Sequence, residues 1–299
     1  MSGRILSTSE GTNQNVFTAF DWVLFVSISL IWGSSFLFMA IGLDAFEPGL
    51  ITWLRVASGA AVLWMVPAAR VRIEPVDRAR VVTLSFIWVG IPFTLFPVAQ
   101  QWINSAVAGM LNGAMPMFAA LVATILLRRR PRGALLVGLV VGFVGVVAIS
   151  APSIGESESQ ALGVALVVLA TIGYGVSINI ATPLQQSYGA LPVMARMLAL
   201  ASIWTAPYGA IGLAGSSFAW DSLIAVLAAG VLGTGIAFVI MGTLAGRVGS
   251  TRASFITYVI PVVALVLGIV FRDDEVTFVA MVGVVLVIVG AFLASRREA

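Results

Sequence analysis

The sequence contains no cysteine and no histidine, and its 16 basic residues are all arginine because lysine is absent as well. Without cysteine or histidine, a zinc site, a thiol nucleophile and a serine-histidine dyad are excluded. Without lysine, the chain cannot form a Walker-type phosphate loop, so ATP hydrolysis by that route is excluded. No disulfide can report the redox compartment. We therefore predict no cofactor, no metal and no catalytic residue.

Charge is also scarce. Charged residues make up 10% of the sequence, hydrophobic residues make up 60%, and the mean hydropathy is +1.07. Such a composition is typical of a membrane protein and not of a soluble domain. The arginines lie between apolar runs and form no basic patch, so no nucleic-acid partner is predicted. Residues 1–20 lack the apolar core and cleavage site of a secretory signal, and we predict that they form a polar cytoplasmic tail.

Ten apolar runs are long enough to cross a bilayer, because a hydrocarbon core of about 30 Å needs roughly twenty apolar residues in a helix. We therefore predict an all-α integral membrane protein with ten transmembrane helices. The predicted spans are Trp22–Ile41, Gly49–Ala69, Val81–Gln100, Ala106–Leu127, Gly133–Ser150, Leu162–Ala181, Pro192–Ala214, Leu223–Leu244, Ala253–Phe271 and Val276–Ala294.

Arginine is distributed unevenly when the loops between these spans are assigned alternately to the two sides. One side collects Arg4, Arg70, Arg72, Arg78, Arg80, Arg128, Arg129, Arg130, Arg132, Arg247, Arg252, Arg296 and Arg297, whereas the other carries only Arg272. The second side instead holds acids: Asp44, Glu47, Glu156, Glu158, Asp221, Asp273, Asp274 and Glu275. The positive-inside rule then predicts a multi-pass protein of the inner cell membrane with both termini cytoplasmic.

The two halves of the sequence resemble each other. An offset of about 145 places Pro261 on Pro116, Gly290 on Gly145 and Ala253 on Ala108, and a slightly smaller offset places Arg196 on Arg55. We predict two five-helix repeats, residues 1–152 and 153–299. Because five is odd, the second repeat enters the membrane from the opposite side, an arrangement that is typical of secondary transporters.

Several short motifs resemble those of a known family. They are IWGSSF at 31–36, the arginine of ITWLRVASGA at Arg55, and the two helices AGMLNGAMPMFAALVATILL and ASFITYVIPVVALVLGIVF with Pro116 and Pro261. In this order and spacing they resemble the ten-helix, EamA-type members of the drug/metabolite transporter superfamily, over nearly the whole chain. The family commonly has a glutamate thirteen positions after the helix proline, where this chain has Arg129 and Asp274.

The resemblance implies a secondary transporter of small amphipathic metabolites that works in a lipid bilayer by alternating access. Within the superfamily we favour an amino acid exporter, including the exporters of aromatic amino acids. A drug/metabolite or nucleotide-sugar-like exchanger and a proton-coupled efflux carrier stay open as alternatives, as does a membrane-embedded scaffold without transport. The sequence does not predict the oligomeric state.

Polar and aromatic positions inside the predicted spans are the candidates for lining a substrate cavity. Asn112 and Thr257 are repeat equivalents on matching stripes of small residues, and an interhelical hydrogen bond is the alternative explanation for them. Trp32 and Tyr174 occupy repeat-related sites, each followed by a glycine and then a serine. The predicted substrate-binding residues are Trp32, Ser35, Phe36, Phe93, Phe96, Asn112, Met115, Tyr174, Ser177, Asn179, Phe238, Thr257 and Tyr258.

Four prolines within the spans can bend their helices and free backbone carbonyls, because proline lacks the N–H of a helical hydrogen bond. We predict gating or hinge roles for Pro92, Pro97, Pro116 and Pro261. A purely structural role is the alternative, and it is favoured for Pro97.

Arg55 and Arg196 are the two arginines predicted to lie inside spans, at mirrored depths. An arginine at the membrane centre is costly, so a side chain that reaches the interface or pairs with a loop is the favoured interpretation. The alternative is that one of them binds a substrate carboxylate. Because the acidic residues lie in loops or at span ends, we predict facilitated diffusion or exchange and not proton coupling.

Overall fold

The computed structural model describes residues 18–126, 132–248, 253 and 255–294, and these residues form helices without any strand. Two π-helical turns, at Ser85–Gly90 and Val231–Ile236, each join two α-helices into one longer helical segment. In chain order the α-helices are α1 Ala19–Leu43, α2 Pro48–Met65, α3 Arg78–Leu84, α4 Ile91–Ala99, α5 Ser105–Asn112, α6 Met115–Leu126, α7 Gly133–Glu156, α8 Glu158–Tyr188, α9 Ala190–Gly215, α10 Trp220–Gly230, α11 Ala237–Val248, α12 Ile256–Arg272 and α13 Phe278–Ala294.

Seven helical segments of the described chain are long and apolar enough to cross a membrane. They correspond to α1, the segment through α3 and α4, the segment through α5 and α6, α7, α8, α9, and the segment through α10 and α11. The helices α12 and α13 are apolar but shorter, with 17 residues each. The 18-residue α2, which carries Arg55, is in neither group. The protein is therefore a multi-pass membrane protein, and the ten-span count stays a prediction.

The fourth predicted span is not one continuous helix. Helix α5 ends at Asn112, and α6 begins at Met115. Between them the N–H groups of Gly113 and Ala114 donate to carbonyls three residues back, those of Met110 and Leu111, at 3.1 Å each. Proline at the second position of α6 suits this break, because a helix start needs no N–H there.

Helices from the two predicted halves pack mainly against each other. The main contacts join α7 to α13, α2 to α9, and α5 to α12. Helix α1 contacts α12 and α10, and α8 makes the corresponding contacts with α6 and α4. The described chain therefore forms one interleaved helical bundle.

Helices α7 and α13 come together at glycines. A Cβ atom added to Gly290 would lie 2.3 Å from the backbone nitrogen of Gly142, and one added to Gly145 would lie 2.6 Å from the nitrogen of Val287. The backbones of the two helices therefore approach each other directly at these glycines, and any larger residue would push the helices apart. Gly145 and Gly290, which the internal repeat aligns, are thus used for packing between α7 and α13.

Charged groups link the helix ends. At one end, Arg247 Nε donates to the fully buried Asp21 at 2.5 Å. At the other end, both terminal nitrogens of Arg272 bind the Asp44 carboxylate, at 2.7 and 2.9 Å. These two pairs join α1 to α11 and to α12.

The Asp274 carboxylate caps the beginning of α5. Its Oδ2 accepts from Ser105 Oγ at 2.7 Å and from the Ala106 N–H at 2.9 Å. A carboxylate at a helix N-terminus satisfies free N–H groups and faces the positive end of the helix dipole. The sequence equivalent, Arg129, lies outside the described residues, as do residues 1–17 and the arginines at 4, 128, 130, 252, 296 and 297.

Candidate functional site

Three predicted site residues meet in an aromatic cluster formed by Phe36, Phe96 and Tyr174. Phe36 of α1 contacts Phe96 of α4 edge-on, with ring centroids 5.5 Å apart, and Phe96 stacks on Tyr174 of α8 at 5.9 Å. Phe36 and Phe96 are buried, whereas Tyr174 is partly exposed. The cluster therefore places an apolar surface where α1, α4 and α8 come together.

Arg55 lies next to this cluster and is only 7% exposed. Its Nε donates to Thr234 Oγ1 at 3.3 Å, a terminal nitrogen contacts the sulfur of Met39 at 3.2 Å, and the guanidinium lies 4.3 Å above the Phe93 ring. Tyr174 is close enough to interact with it electrostatically. None of the residues that the structure describes offers Arg55 a carboxylate within salt-bridge distance.

Such an environment is unusual for a guanidinium. Buried charges are normally paired, because removal from water costs several kcal/mol that a partner must offset, as a rough estimate. A thioether is a weak acceptor, and a threonine hydroxyl and a ring face carry no formal charge. The described contacts of Arg55 are with helical residues, namely Met39, Phe93 and Thr234, and not with a loop. The arrangement leaves donors of a buried cation available for an anion.

Arg196, the sequence equivalent, is placed differently. Its terminal nitrogens donate to the backbone carbonyls of Ala69 at 3.2 Å, Pro192 at 3.1 Å and Arg70 at 3.4 Å. Its guanidinium also lies 5.7 Å from the ring of Trp64. This side chain is half-buried and links α9 to the segment that follows α2, in agreement with the loop-pairing interpretation.

Several buried polar atoms near these helices have no hydrogen-bond partner among the described residues. They are Oδ1 of Asn112, Oγ of Ser177, and both Nε2 and Oε1 of Gln100. Ser177 is fully buried, and most other helical hydroxyls here, such as that of Thr171, donate back to a carbonyl in the preceding turn. A buried polar group without a partner costs about 1–3 kcal/mol, so these atoms are suited to bind a substrate or water.

Trp32 and Phe238 form a second contact, with ring centroids 5.9 Å apart. Trp32 Nε1 donates to the Gly233 carbonyl in the second π-helical turn at 3.0 Å. On the next turn of α1, Ser35 Oγ donates to the Ile31 carbonyl at 3.2 Å. The polar atoms of Trp32 and Ser35 thus make structural bonds, while the Trp32 ring remains partly exposed.

Other predicted residues make hydrogen bonds or packing contacts of their own. Asn179 Nδ2 donates to the carbonyls of Ala119 at 2.9 Å and Gly175 at 2.8 Å, which ties α8 to α6. Tyr258 packs toward α13, where its hydroxyl donates to the Ala291 carbonyl at 3.3 Å. Thr257 is buried one turn before Pro261, and Met115 begins α6.

The four prolines have distinct surroundings. Pro97 lies inside α4 and frees the carbonyl of Phe93, which accepts from Thr52 Oγ1 at 3.2 Å; that hydroxyl also lies 2.8 Å from the Pro48 carbonyl. The freed carbonyl is therefore used within the protein. Pro92 follows the first π-helical turn, and the break described above precedes Pro116.

Pro261 lies within the continuous part of α12 and touches α5. A Cβ atom added to Gly113 would lie 2.4 Å from Pro261 Cγ. The break at Gly113 and the Pro261 ring are thus in direct contact. Whether this contact acts as a hinge stays a prediction.

Sequence reasoning missed four residues of this region: Met39, Thr52, Gln100 and Thr234. Gln100 offered little signal, because a polar amide at the end of a predicted span is common. Thr234 stands between two glycines in VLGTGI, and its distance of 179 positions from Arg55 hides the pairing. Thr52 and Met39 carry no local pattern that separates them from packing residues.

An all-helical multi-pass bundle with a buried cation and aromatic rings at its centre defines a membrane protein built around an internal polar site. Comparison with known proteins identifies the protein family. The sequence model of the EamA-like transporter family matches residues 21–151 and 161–296. The chain belongs to the EamA-like transporter family, and it is a membrane transporter.

Related proteins match this sequence over nearly its full length. A protein of Archaeoglobus fulgidus named an uncharacterized transporter is 23% identical, over 93% of this chain and 99% of its own. The probable amino-acid metabolite efflux pump of Escherichia coli K12 is also 23% identical, over 91% of this chain and 94% of its own. A solved crystal structure shares the fold, with a TM-score of 0.62 at 20% identity, and the match covers 93% of this chain and 97% of that one.

Proposed function

We propose that this protein exports small amphipathic metabolites that carry a carboxylate, with amino acids as the substrate class. The observation that carries the proposal is Arg55, a guanidinium that is 7% exposed and has no carboxylate partner among the described residues. Planar guanidinium groups bind carboxylates through two parallel hydrogen bonds. The name of the Escherichia coli relative supports the same class.

The surroundings of Arg55 suit the rest of such a substrate. Phe93 and the aromatic cluster offer an apolar surface for a hydrophobic side chain, and aromatic rings also attract an ammonium group over their faces. The unpaired amide oxygens of Gln100 and Asn112 are further acceptors in the same bundle. Arg55 would thus bind the carboxylate of a zwitterion, and the neighbouring rings would contact its apolar side chain.

Facilitated diffusion or exchange is the proposed energy mode. The buried acid inside a described candidate span is Asp21, at the first turn of α1, and Arg247 already holds it at 2.5 Å. Proton-coupled carriers usually keep an ionisable carboxylate on the transport path, where it can exchange a proton with water.

Alternating access between two inverted five-helix repeats is the proposed mechanism, with residues 1–152 and 153–299 as the repeats and both termini cytoplasmic in the inner membrane. Two observations support it. The family model matches one segment in each half. The contacts of α1 with α12 and α10 also correspond to those of α8 with α6 and α4 when the halves are exchanged.

Counterflow in proteoliposomes tests the proposal. Vesicles containing the purified protein and unlabelled amino acid should accumulate external radiolabelled phenylalanine transiently, whereas protein-free vesicles should not. A protonophore should leave this flux unchanged. Saturable flux of amines without a carboxylate, together with no flux of any amino acid, would contradict the substrate class, and collapse with the protonophore would contradict the energy mode.

A further inference from the structure

A cavity lies away from Arg55, between the end of α2, the beginning of α3 and α9. Its volume is about 460 Å³, and its walls include Trp64, Arg72, Arg78, Val81, Arg196 and Leu200. Trp64 follows Arg55 by nine residues on α2, which is about 13 Å along a helix axis. The cleft is therefore a separate site, at the end of the bundle where arginines concentrate.

Three arginines give the cleft its charge. Arg196 is held in place by the carbonyls of Ala69, Arg70 and Pro192. Arg72 and Arg78 are exposed, and no carboxylate of the described chain lies within salt-bridge distance of either.

Two acids stand near these arginines in the sequence. Asp77 is engaged elsewhere, since it accepts from Arg80 at 3.3 Å and from the Tyr188 hydroxyl at 2.9 Å. Glu74 is exposed and does not line the cleft. The cleft thus has a net positive wall that its own acids leave uncompensated.

The remaining walls are apolar. Val81 is buried and Leu200 is half-buried, whereas Trp64 is 39% exposed. Tryptophan at such a position is typical of the membrane-water interface, where its ring lies at the level of lipid headgroups. Basic pockets between transmembrane helices, with apolar walls below, bind the headgroups of anionic lipids.

We propose that this cleft binds one anionic phospholipid. The headgroup phosphate lies between Arg72 and Arg78, with Arg196 behind them, and an acyl chain follows Val81 and Leu200. A phosphate accepts hydrogen bonds from guanidinium groups in the same geometry as a carboxylate. A free phosphate would satisfy the arginines but would leave the apolar walls and the exposed Trp64 uncovered. The bound lipid joins α2, α3 and α9 and does not take part in the transport site.

Native mass spectrometry of the full chain, released from neutral detergent, tests this. Phosphatidylglycerol titrated onto the protein should give a saturable one-lipid complex, and phosphatidylcholine with the same acyl chains should bind at least tenfold more weakly. High salt should weaken phosphatidylglycerol binding, because the arginines are exposed to solvent. Equal binding of the two lipids, or binding that salt does not change, would overturn the proposal.

Variants locate the site. The double variant Arg72→Gln/Arg78→Gln should bind phosphatidylglycerol at least tenfold more weakly, and it should keep the elution volume of the wild type, since neither side chain makes a described ion pair. Arg80→Gln is the matched control. Arg80 is an exposed arginine of α3, the helix that carries Arg78, but it does not line the cleft. Equal loss in both variants would contradict the assignment.

A competition experiment distinguishes a lipid-binding site from a site for a free anion. Inorganic phosphate, added in excess, should displace little phosphatidylglycerol, because it cannot use the apolar walls. Displacement of the lipid at comparable concentrations would show a free-phosphate site and would overturn the lipid assignment. Because these readouts measure lipid binding and not flux, they are independent of the proposed transport function.

Discussion

At the scale of single residues, Arg55 has the clearest chemical consequence. A buried guanidinium is normally paired with an anion, and none of the described residues offers Arg55 a carboxylate within salt-bridge distance. Lysine cannot replace it, since an ammonium lacks the planar fork that matches a carboxylate.

We therefore expect Arg55→Lys to raise the KM for phenylalanine by at least about tenfold, the equivalent of one charge-assisted hydrogen bond. Phenethylamine, which lacks the carboxylate, should compete with labelled phenylalanine equally in the variant and the wild type. Counterflow in proteoliposomes measures both quantities, with Arg80→Lys as the control. An unchanged KM in folded Arg55→Lys would remove Arg55 from the substrate site.

Thr52 illustrates a residue whose role depends on a proline 45 positions away in the sequence, since it satisfies the Phe93 carbonyl that Pro97 frees. Replacing Thr52 with valine should lower the free energy of unfolding by about 1–3 kcal/mol, because the carbonyl loses its donor.

In the Pro97→Ala background the helix regains its own N–H, so the same replacement should cost clearly less there. Unfolding in mixed micelles, measured as a double-mutant cycle, checks this coupling. Additive effects would mean that the Thr52 bond to the Pro48 carbonyl is the one that matters.

At the scale of elements, the contact between α7 and α13 depends on glycine. Gly290→Ala should lower the yield of folded protein and its unfolding temperature, because the new methyl group would overlap the backbone of Gly142. Large losses are expected where overpacking moves backbone, typically about 1–3 kcal/mol.

Gly242→Ala is the matched control. It lies in α11, and the nearest atom to an added Cβ is Leu191 Cγ at 4.0 Å. Since alanine is also the better helix former, this variant should be at least as stable as the wild type. Equal stability of the two alanine variants, read from thermal unfolding in detergent, would contradict the close approach.

Local sequence patterns were sufficient to predict the positions of the helices but not the breaks within them. Hydrophobic runs located most helices within a few residues, because burial in lipid requires a long apolar stretch whatever its partners. The same runs did not predict the break at Gly113–Ala114 or the π-helical turns at Ser85–Gly90 and Val231–Ile236. Those features depend on where a neighbouring helix or side chain satisfies the displaced backbone groups.

At the scale of the whole molecule, the proposed inverted topology has a direct test. The connection before α3 and the connection before α10 are equivalent in the two repeats, so they should lie on opposite sides of the membrane. The chain contains no native cysteine, so introduced thiols can be read without background.

Arg80→Cys should react with a membrane-impermeant maleimide only after the inner membrane is permeabilised, whereas Asp221→Cys should react in intact spheroplasts. Both parent residues are exposed. Glu158→Cys, at the first residue of α8, should behave like Asp221→Cys. Labelling of Arg80→Cys and Asp221→Cys from the same side would rule out the inverted repeat.

The membrane class, the approximate positions of the helices and the family resemblance could all be read from the amino-acid order, because hydropathy, arginine distribution and short motifs are properties of neighbouring residues. Aromatic and polar candidates such as Phe36, Phe96, Tyr174, Asn112 and Ser177 were also recognisable as unusual residues within apolar spans.

Which of these candidates meet was decided only by the packing of the helices. The bond between Arg55 and Thr234 joins residues 179 positions apart, and Phe96 stacks on a ring from the other half. Asn179 and Trp32 turned out to use their polar groups in helix contacts, while Gln100 was left without a partner. A buried group is satisfied or unsatisfied by atoms that distant segments bring to it, and no local pattern contains that information.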